Sequence, residues 1–321
     1  MMRYLVTGGA GFIGSHIVER LIKEGNFVRI LDNFSSAKKE NLIFLNNFPN
    51  NNYEIIEGDI RNSQICFSAT KDIDFVLHQA ALRSVPKSLK NPYEYNEVNI
   101  GGTLNMLEAS LRNKVKCFVF ASSSSIYGEA KKFPQKETDL AYLISPYALT
   151  KLAGEYYCRI FSLNYKLHTV CLRYFNVFGP RQSLDDEYAV VIPKFIHCLL
   201  NNQPYPVYGT GRQSRDFTYI ENVVEANLLA IKRMNRYKPA EVFNIANGKN
   251  YTILQLIKTL NRISQKDIKP IFLEKRPGDV FKTHADIKKA KLMLGYNPKV
   301  GFEEGLKKTL DYFKKIWQNQ Q

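Results

Sequence analysis

In the stretch SPYALTK, residues 145 to 151, Tyr147 stands four positions before Lys151. Residues four apart on a helix lie one above the other, so the lysine ammonium can sit beside the phenol on one face. A nearby positive charge favours phenolate and draws a tyrosine down from its usual pKa of about 10 towards working pH. The pair reads either as a phenol that transfers protons or as an ordinary helix turn. Upstream, SSSS at 122 to 125 follows the apolar run CFVFA. That places hydroxyls, Ser123 among them, at the carboxyl edge of a buried strand, where ligands bind in parallel sheets. A polar turn is the alternative reading of the serines.

A second constellation lies near the N-terminus, where GGAGFIG follows the first strand-like run and opens a helix. Gly8, Gly11 and Gly14 would allow a tight turn, close approach of a pyrophosphate to the backbone, and close packing of helix on strand. FVRILD then ends in Asp32, about 20 residues beyond the glycines, where a carboxylate accepts from a ribose diol and repels a 2′-phosphate. This favours NAD over NADP, with Lys38 and Lys39 close by as a countervailing charge. Asp59, in EGD after the third strand, reads as a weaker candidate for the adenine end.

The elements that must position these groups are legible as β-branched runs alternating with amphipathic stretches as far as HTVCLRYFNVFG. This pattern predicts parallel βαβ units in a doubly wound α/β sheet of the Rossmann type. From about Phe178 the alternation gives way to Gly- and Pro-rich segments. We therefore expect a nucleotide-binding domain over residues 1–175, with a returning segment near 217–246, and a smaller, irregular α/β substrate portion over 176–321.

Composition limits the alternatives. The 321 residues, 45% hydrophobic and 23% charged, can bury a large core and do not read as disordered. No apolar run of about 18 residues could span a bilayer, and no secretory leader is read, so the expected location is the cytoplasm. Five widely spaced cysteines without a C-x-x-C pair, and five histidines without ligand spacing, predict reduced packing thiols and no metal. The net charge of +15 is scattered rather than gathered in a stripe, which points to a solvated surface and an anionic small molecule rather than to nucleic acid.

Taken together, GGAGFIG, HQAA at 78 to 81, VNIGGT at 98 to 103, SSSSIYG and YALTK resemble the extended short-chain dehydrogenase/reductase family. RYFNVFGPRQ, YAVVIPKF, YGTGRQSRDFTYIENVV and RPGDV carry the likeness onward, where it resembles nucleotide-sugar 4-epimerases. The resemblance implies that Ser123, Tyr147 and Lys151 are catalytic: the phenolate takes the sugar 4-OH proton while the C4 hydride goes to NAD. It implies cofactor contacts from Gly8, Gly11, Phe12, Ile13, Gly14, Asp32, Asn33, Ser35, Ser36, Asp59, Ile60, Gln79, Ala80, Ala81, Asn99, Tyr147, Lys151 and Tyr174. It likewise implies UDP-sugar contacts from Lys87, Ser123, Ser124, Ser125, Asn176, Val191, Lys194, Tyr208, Arg215, Arg276, Asp279 and Thr283. Family likeness also implies a homodimer built from helices around 99 to 112 and 145 to 165.

Related dehydratases and decarboxylases resemble one another in an acidic residue just before the Y-G of the serine loop; here Ser124 and Ser125 occupy that region. Simple epimerisation is therefore favoured over those reactions. Thr283 falls where the epimerases have a gate beside the sugar 2-substituent, and its small side chain points to UDP-GlcNAc and UDP-GalNAc, with UDP-Glc and UDP-Gal also accepted. Arg83, in AALRSVPKS, is similar to an arginine of uronate epimerases and makes UDP-glucuronate the alternative substrate. A catalytically silent nucleotide-binding module is the reading from a different functional class.

Overall fold

The computed structural model describes residues 1–183, 191–275 and 279–318. Seven parallel strands form one sheet: β1 (Arg3–Thr7), β2 (Phe27–Asp32), β3 (Tyr53–Glu57), β4 (Phe75–His78), β5 (Cys117–Ser123), β6 (Thr169–Tyr174) and β7 (Glu241–Ile245). Their spatial order is β7-β6-β5-β4-β1-β2-β3. The strands inside the sheet are covered on both faces, which is why FVRILD and TVCLRY are buried at every position instead of alternating.

Helix α1 (Phe12–Lys23) lies on one face, with α2 (Ser63–Thr70), α3 (Gly102–Arg112) and α4 (Pro146–Tyr165) on the other. One apolar layer joins Val6, Ile30 and Val119 to Ile17 and Val18 of α1. The opposite layer joins Leu5, Val76, Phe118 and Phe120 to Met106, Cys158 and Phe161. The chain returns to the first layer through α5 (Ile220–Lys232) before entering β7.

Strand order reverses between β1 and β4, and there the backbone of the glycine turn meets the turn after β4. Gly8 has φ of +63°, and a Cβ at that position would lie 2.8 Å from both the Cα and N of Ala80. A Cβ on Gly14 would lie 2.1 Å from the Gly8 carbonyl oxygen. No other residue fits either position without moving backbone. The close approach leaves the α1 amino end facing open space at the switch point, which is the phosphate-binding geometry of doubly wound sheets.

The later part of the chain consists of short strand pairs around an aromatic stack. Tyr205–Tyr208 runs parallel to Pro270–Leu273, and Ser214–Arg215 pairs antiparallel with Tyr251–Thr252. Phe302, at the start of α6 (Phe302–Gln318), stacks on Tyr251 and Phe217. Asp216 ties the region together: its fully buried carboxylate accepts the Asn247 and Ala285 backbone N–H groups at 3.1 Å each. Burial lifts its pKa to about 7 despite these bonds.

All five cysteines are buried free thiols. Among the described residues no helix is long and apolar enough to cross a membrane, and no cluster of His, Cys, Asp or Glu could hold a metal.

Candidate active site

A cavity of about 1210 Å³ opens along the carboxyl edge of the sheet. Every cofactor residue expected from the sequence lines it except Asn99. At one end Asp32 is 8% exposed, its carboxylate accepting the Ala10 N–H at 3.0 Å and the Phe34 N–H at 2.9 Å. Burial raises the carboxyl above its ordinary value while these backbone bonds oppose the rise. Asp59 instead ionises readily, held at about 2 chiefly by its hydrogen bond from Arg61, and accepts 2.8 Å from the Asn33 amide. The pinched Gly8 and Gly14 backbone and the Asp32 carboxylate at the tip of β2 fit a dinucleotide with an unmodified ribose.

At the other end the catalytic candidates come together. Ser145 caps α4 by accepting the Ala148 N–H, and Pro146 follows at the first helical position, so the helix begins immediately before Tyr147. Ser123, at the end of β5, acts on the Tyr147 phenol to favour its ionisation. Lys151, one turn along α4, is 5% exposed and donates to the Ala121 carbonyl oxygen at 2.8 Å. Its ammonium lies 5.1 Å from the Phe120 ring centroid and 6.0 Å from that of Tyr147.

Two expectations are corrected here. The ammonium turns to the β5 backbone rather than to the phenol, because a buried cation must satisfy its donors and Ala121 offers the nearest carbonyl. Accordingly the Tyr147 pKa lies above its usual value: burial raises it, and the Ser123 hydroxyl and the Arg83 charge only partly offset this. Asn99 is also not a wall of the cavity. Its amide accepts the Leu82 N–H at 2.8 Å and donates to the Leu82 carbonyl and the Thr150 hydroxyl, each at 3.0 Å. The π-helical turn Asn96–Gly101 presents it inward, so it joins the wall after β4 to α4 from behind.

The expected substrate residues divide. Lys87 lines the cavity. Lys194 approaches the Tyr208 hydroxyl at 3.5 Å, and Arg215 is ion-paired with Asp279. Val191 opens the helix that carries Lys194. Asn176, at φ of +35°, donates to the Thr283 hydroxyl at 2.8 Å, and that hydroxyl also accepts the Asp216 N–H at 3.1 Å. Thr283 is thus small, buried and held by two donors. Ser124 and Ser125 form the turn after β5, where the Ser123 hydroxyl accepts the Ser125 N–H. Arg276 lies outside the described residues.

Sequence reasoning missed the support beneath the serine loop. Arg173 of β6 makes two hydrogen bonds to Glu155 of α4, at 2.8 and 2.7 Å, with both side chains buried. Glu155 accepts from Ser122, while Arg173 donates at 2.9 Å to the Tyr127 hydroxyl, which donates at 2.6 Å to Asn244. The charge in the middle of the apolar run TVCLRYF was the available signal. Arg181, Tyr312 and Phe313, which also line the cavity, had no comparable mark.

The family model of the NAD dependent epimerase/dehydratase family matches residues 4–246. The chain belongs to this family. A putative UDP-glucose 4-epimerase of Methanocaldococcus jannaschii is 37% identical over 312 residues, covering 97% of this chain and 98% of that one. A UDP-glucuronate 4-epimerase of Thermodesulfobacterium geofontis is 37% identical, covering 97% and 96%. Among solved structures, a UDP-N-acetylglucosamine 4-epimerase from Methanobrevibacter ruminantium, in complex with UDP-N-acetylmuramic acid, superposes with a TM-score of 0.92. It is 42% identical, and the match covers 98% of this chain and 99% of that one. As a family member the protein is an NAD-dependent enzyme built on the extended short-chain dehydrogenase/reductase fold.

The buried ammonium carries a stability signature. Burial lowers the Lys151 pKa to about 8 from an ordinary 10.5. Between these values the unfolded chain binds the proton and the folded chain does not, so stability rises with pH across that window. In cofactor-free protein, K151M should be the more stable at pH 7, by about 3 kcal/mol from this source. Urea unfolding at intervals from pH 7 to 10 should show that advantage shrinking; a constant difference would contradict the assignment.

Proposed function

We propose that the protein inverts C4 of a UDP-linked sugar, interconverting UDP-GlcNAc and UDP-GalNAc and also accepting UDP-Glc and UDP-Gal. The observation that carries this reading is that Tyr147 and Lys151, one helical turn apart, share the wall of the cofactor cavity, with Ser123 acting on the phenol from the end of β5. Bound NAD supplies an acceptor for the C4 hydride and gives it back. Tyr147, as phenolate, takes the proton of the 4-hydroxyl and later returns one to the same oxygen. Ser123 holds that oxygen in line, and Lys151 adds positive charge from below. The 4-keto sugar turns over between the two transfers, so that each face of C4 meets the same chemistry.

Lys194, Tyr208, Arg215, Asp279, Asn176, Val191 and Arg276 form the proposed handle for UDP, the cations matching a diphosphate and Asp279 a ribose hydroxyl. The Arg215–Asp279 pair supports this, since the two groups already stand within bonding reach of each other. Ser124, Ser125 and Ile126 offer no carboxylic acid for the extra proton transfers of a dehydratase or decarboxylase. Thr283, small and buried, supports room for an N-acetyl group. A second reading, UDP-glucuronate as the substrate, draws support from Arg83 on the cavity wall.

A homodimer through α4 is also part of this reading. Leu149, Tyr156, Ile160 and Leu163 are all exposed and recur at helical spacing along one face, beside exposed Leu89 and Tyr93. Contiguous exposed apolar side chains of this kind mark an interaction surface. Light scattering should give about twice the 37.0 kDa chain mass for the protein and a single chain mass for L149E/L163E.

The activity is tested by incubating the purified protein with UDP-GlcNAc, UDP-Glc or UDP-glucuronate and following the anomeric protons by NMR. The UDP-GalNAc signal is expected, and Y147F should slow its appearance by about 10²- to 10⁴-fold. T283Y should suppress turnover of UDP-GlcNAc more than of UDP-Glc. Turnover of UDP-glucuronate alone would replace the proposed substrate with the second reading, and inertness towards all three would overturn the epimerase assignment.

A further inference from the structure

Halfway along α5 an amide is buried among apolar side chains. Val224, Leu228 and Ile231 pack into the core layer, and Asn227 beside them has no exposed surface. Burying an amide costs free energy unless its donors and acceptor are met, whereas a leucine of similar shape carries no such cost. Asn222, on the same helix, gives its amide to the main chain of Lys299 and Val300, as a structural asparagine does. Asn227 bonds two side chains instead, and both belong to the cofactor cavity.

One Asn227 N–H stays within the helix, on the Val223 carbonyl at 2.8 Å. The other donates to the Tyr174 hydroxyl at 2.9 Å, and the amide oxygen accepts from Gln79 Nε2 at 3.3 Å. The Tyr174 hydroxyl has its own acceptors in Gln79 Oε1 at 3.2 Å and Asn227 Oδ1 at 3.0 Å. Donation to the glutamine closes a ring of three hydrogen bonds among β4, β6 and α5. Gln79 and Tyr174 line the cavity, and Asn227 stands behind them.

Tyr174 ends β6 opposite Ser123 in the sheet register, so this wall belongs to the Tyr147 end of the cavity. It packs with the layer of α1 and α5, whereas Tyr147 and Lys151 come from α4 on the other face of the sheet. We propose that Asn227 is a positioning residue for the cofactor: from behind the wall it fixes Tyr174 and Gln79 against the nicotinamide half of bound NAD. The ring of bonds decides which end of the Gln79 amide meets Tyr174. Without it both side chains would have to be ordered as NAD binds, at a cost in affinity. With it the wall is in place beforehand.

The test is calorimetric titration of the full-length protein, freed of resident NAD, with NAD and separately with ADP-ribose, which lacks the nicotinamide. In N227L the Kd for NAD should rise about tenfold, the effect of losing about one buried hydrogen bond, while that for ADP-ribose stays within about twofold. In Y174F, where the hydroxyl is already gone, adding N227L should weaken NAD by no more than about threefold further. N227A removes the amide without adding bulk and should repeat the N227L result, which separates the role of the amide from any misfit of leucine. An equal loss for NAD and ADP-ribose would reduce Asn227 to a core residue and overturn the proposal, as would an unchanged Kd for NAD in N227L. No sugar enters the titration, so failure of the epimerase reading would show separately, as absent conversion with the NAD effect intact.

Discussion

The hydrogen bond from the Lys151 ammonium to the Ala121 carbonyl is the constraint on which the site depends. A cation buried to this degree must find an acceptor or give up its proton. By bonding the end of β5 it fixes the rotation of α4 about its axis, and with it the direction of Tyr147 one turn earlier. The same strand end carries Ser123, so serine and phenol meet because one lysine joins their two elements. Beneath them the Glu155–Arg173 pair repeats the connection between α4 and the sheet, and extends it through Tyr127 and Asn244 to the later part of the chain. Such a pair is neither a strong nor a weak contributor by itself; breaking one half would leave an uncompensated buried charge.

This arrangement changes how the phenol's reactivity is understood. A tyrosine and a lysine at helical spacing need not interact directly, because each side chain answers first to the requirements of burial. Here burial works against ionisation of both groups: it lowers the lysine and raises the tyrosine. The site thus holds its proton donors in a resting balance.

Much of the nucleotide half was legible in the sequence because its constraints are local. A glycine needed at positive φ, a carboxylate at a strand tip and a serine run after CFVFA each announce themselves within a few residues. Tyr147 and Lys151 were legible for the same reason, although the direction of the ammonium was not: that depended on a carbonyl thirty positions earlier in the chain. Asn99 shows the limit more clearly. VNIGGT marks it as special, yet only the π-helical turn reveals that it braces Leu82 and Thr150. Asp216 was hidden beside Arg215 in RQSRDF, because nothing local says that its acceptors serve backbone at Asn247 and Ala285. The proposed handle around Lys194, Tyr208, Arg215 and Asp279 draws on four separate segments, and periodicity could not have assembled it.

The central claim is that the C4 hydrogen leaves as hydride and comes back within one site, with Tyr147 moving only the hydroxyl proton. The most direct measurement is to supply UDP-GlcNAc carrying deuterium at C4 and to analyse the UDP-GalNAc formed in ordinary water by mass spectrometry. Full retention of deuterium at C4 is the predicted result. Replacement of the label by solvent hydrogen would mean that the carbon loses a proton instead, and would contradict the account.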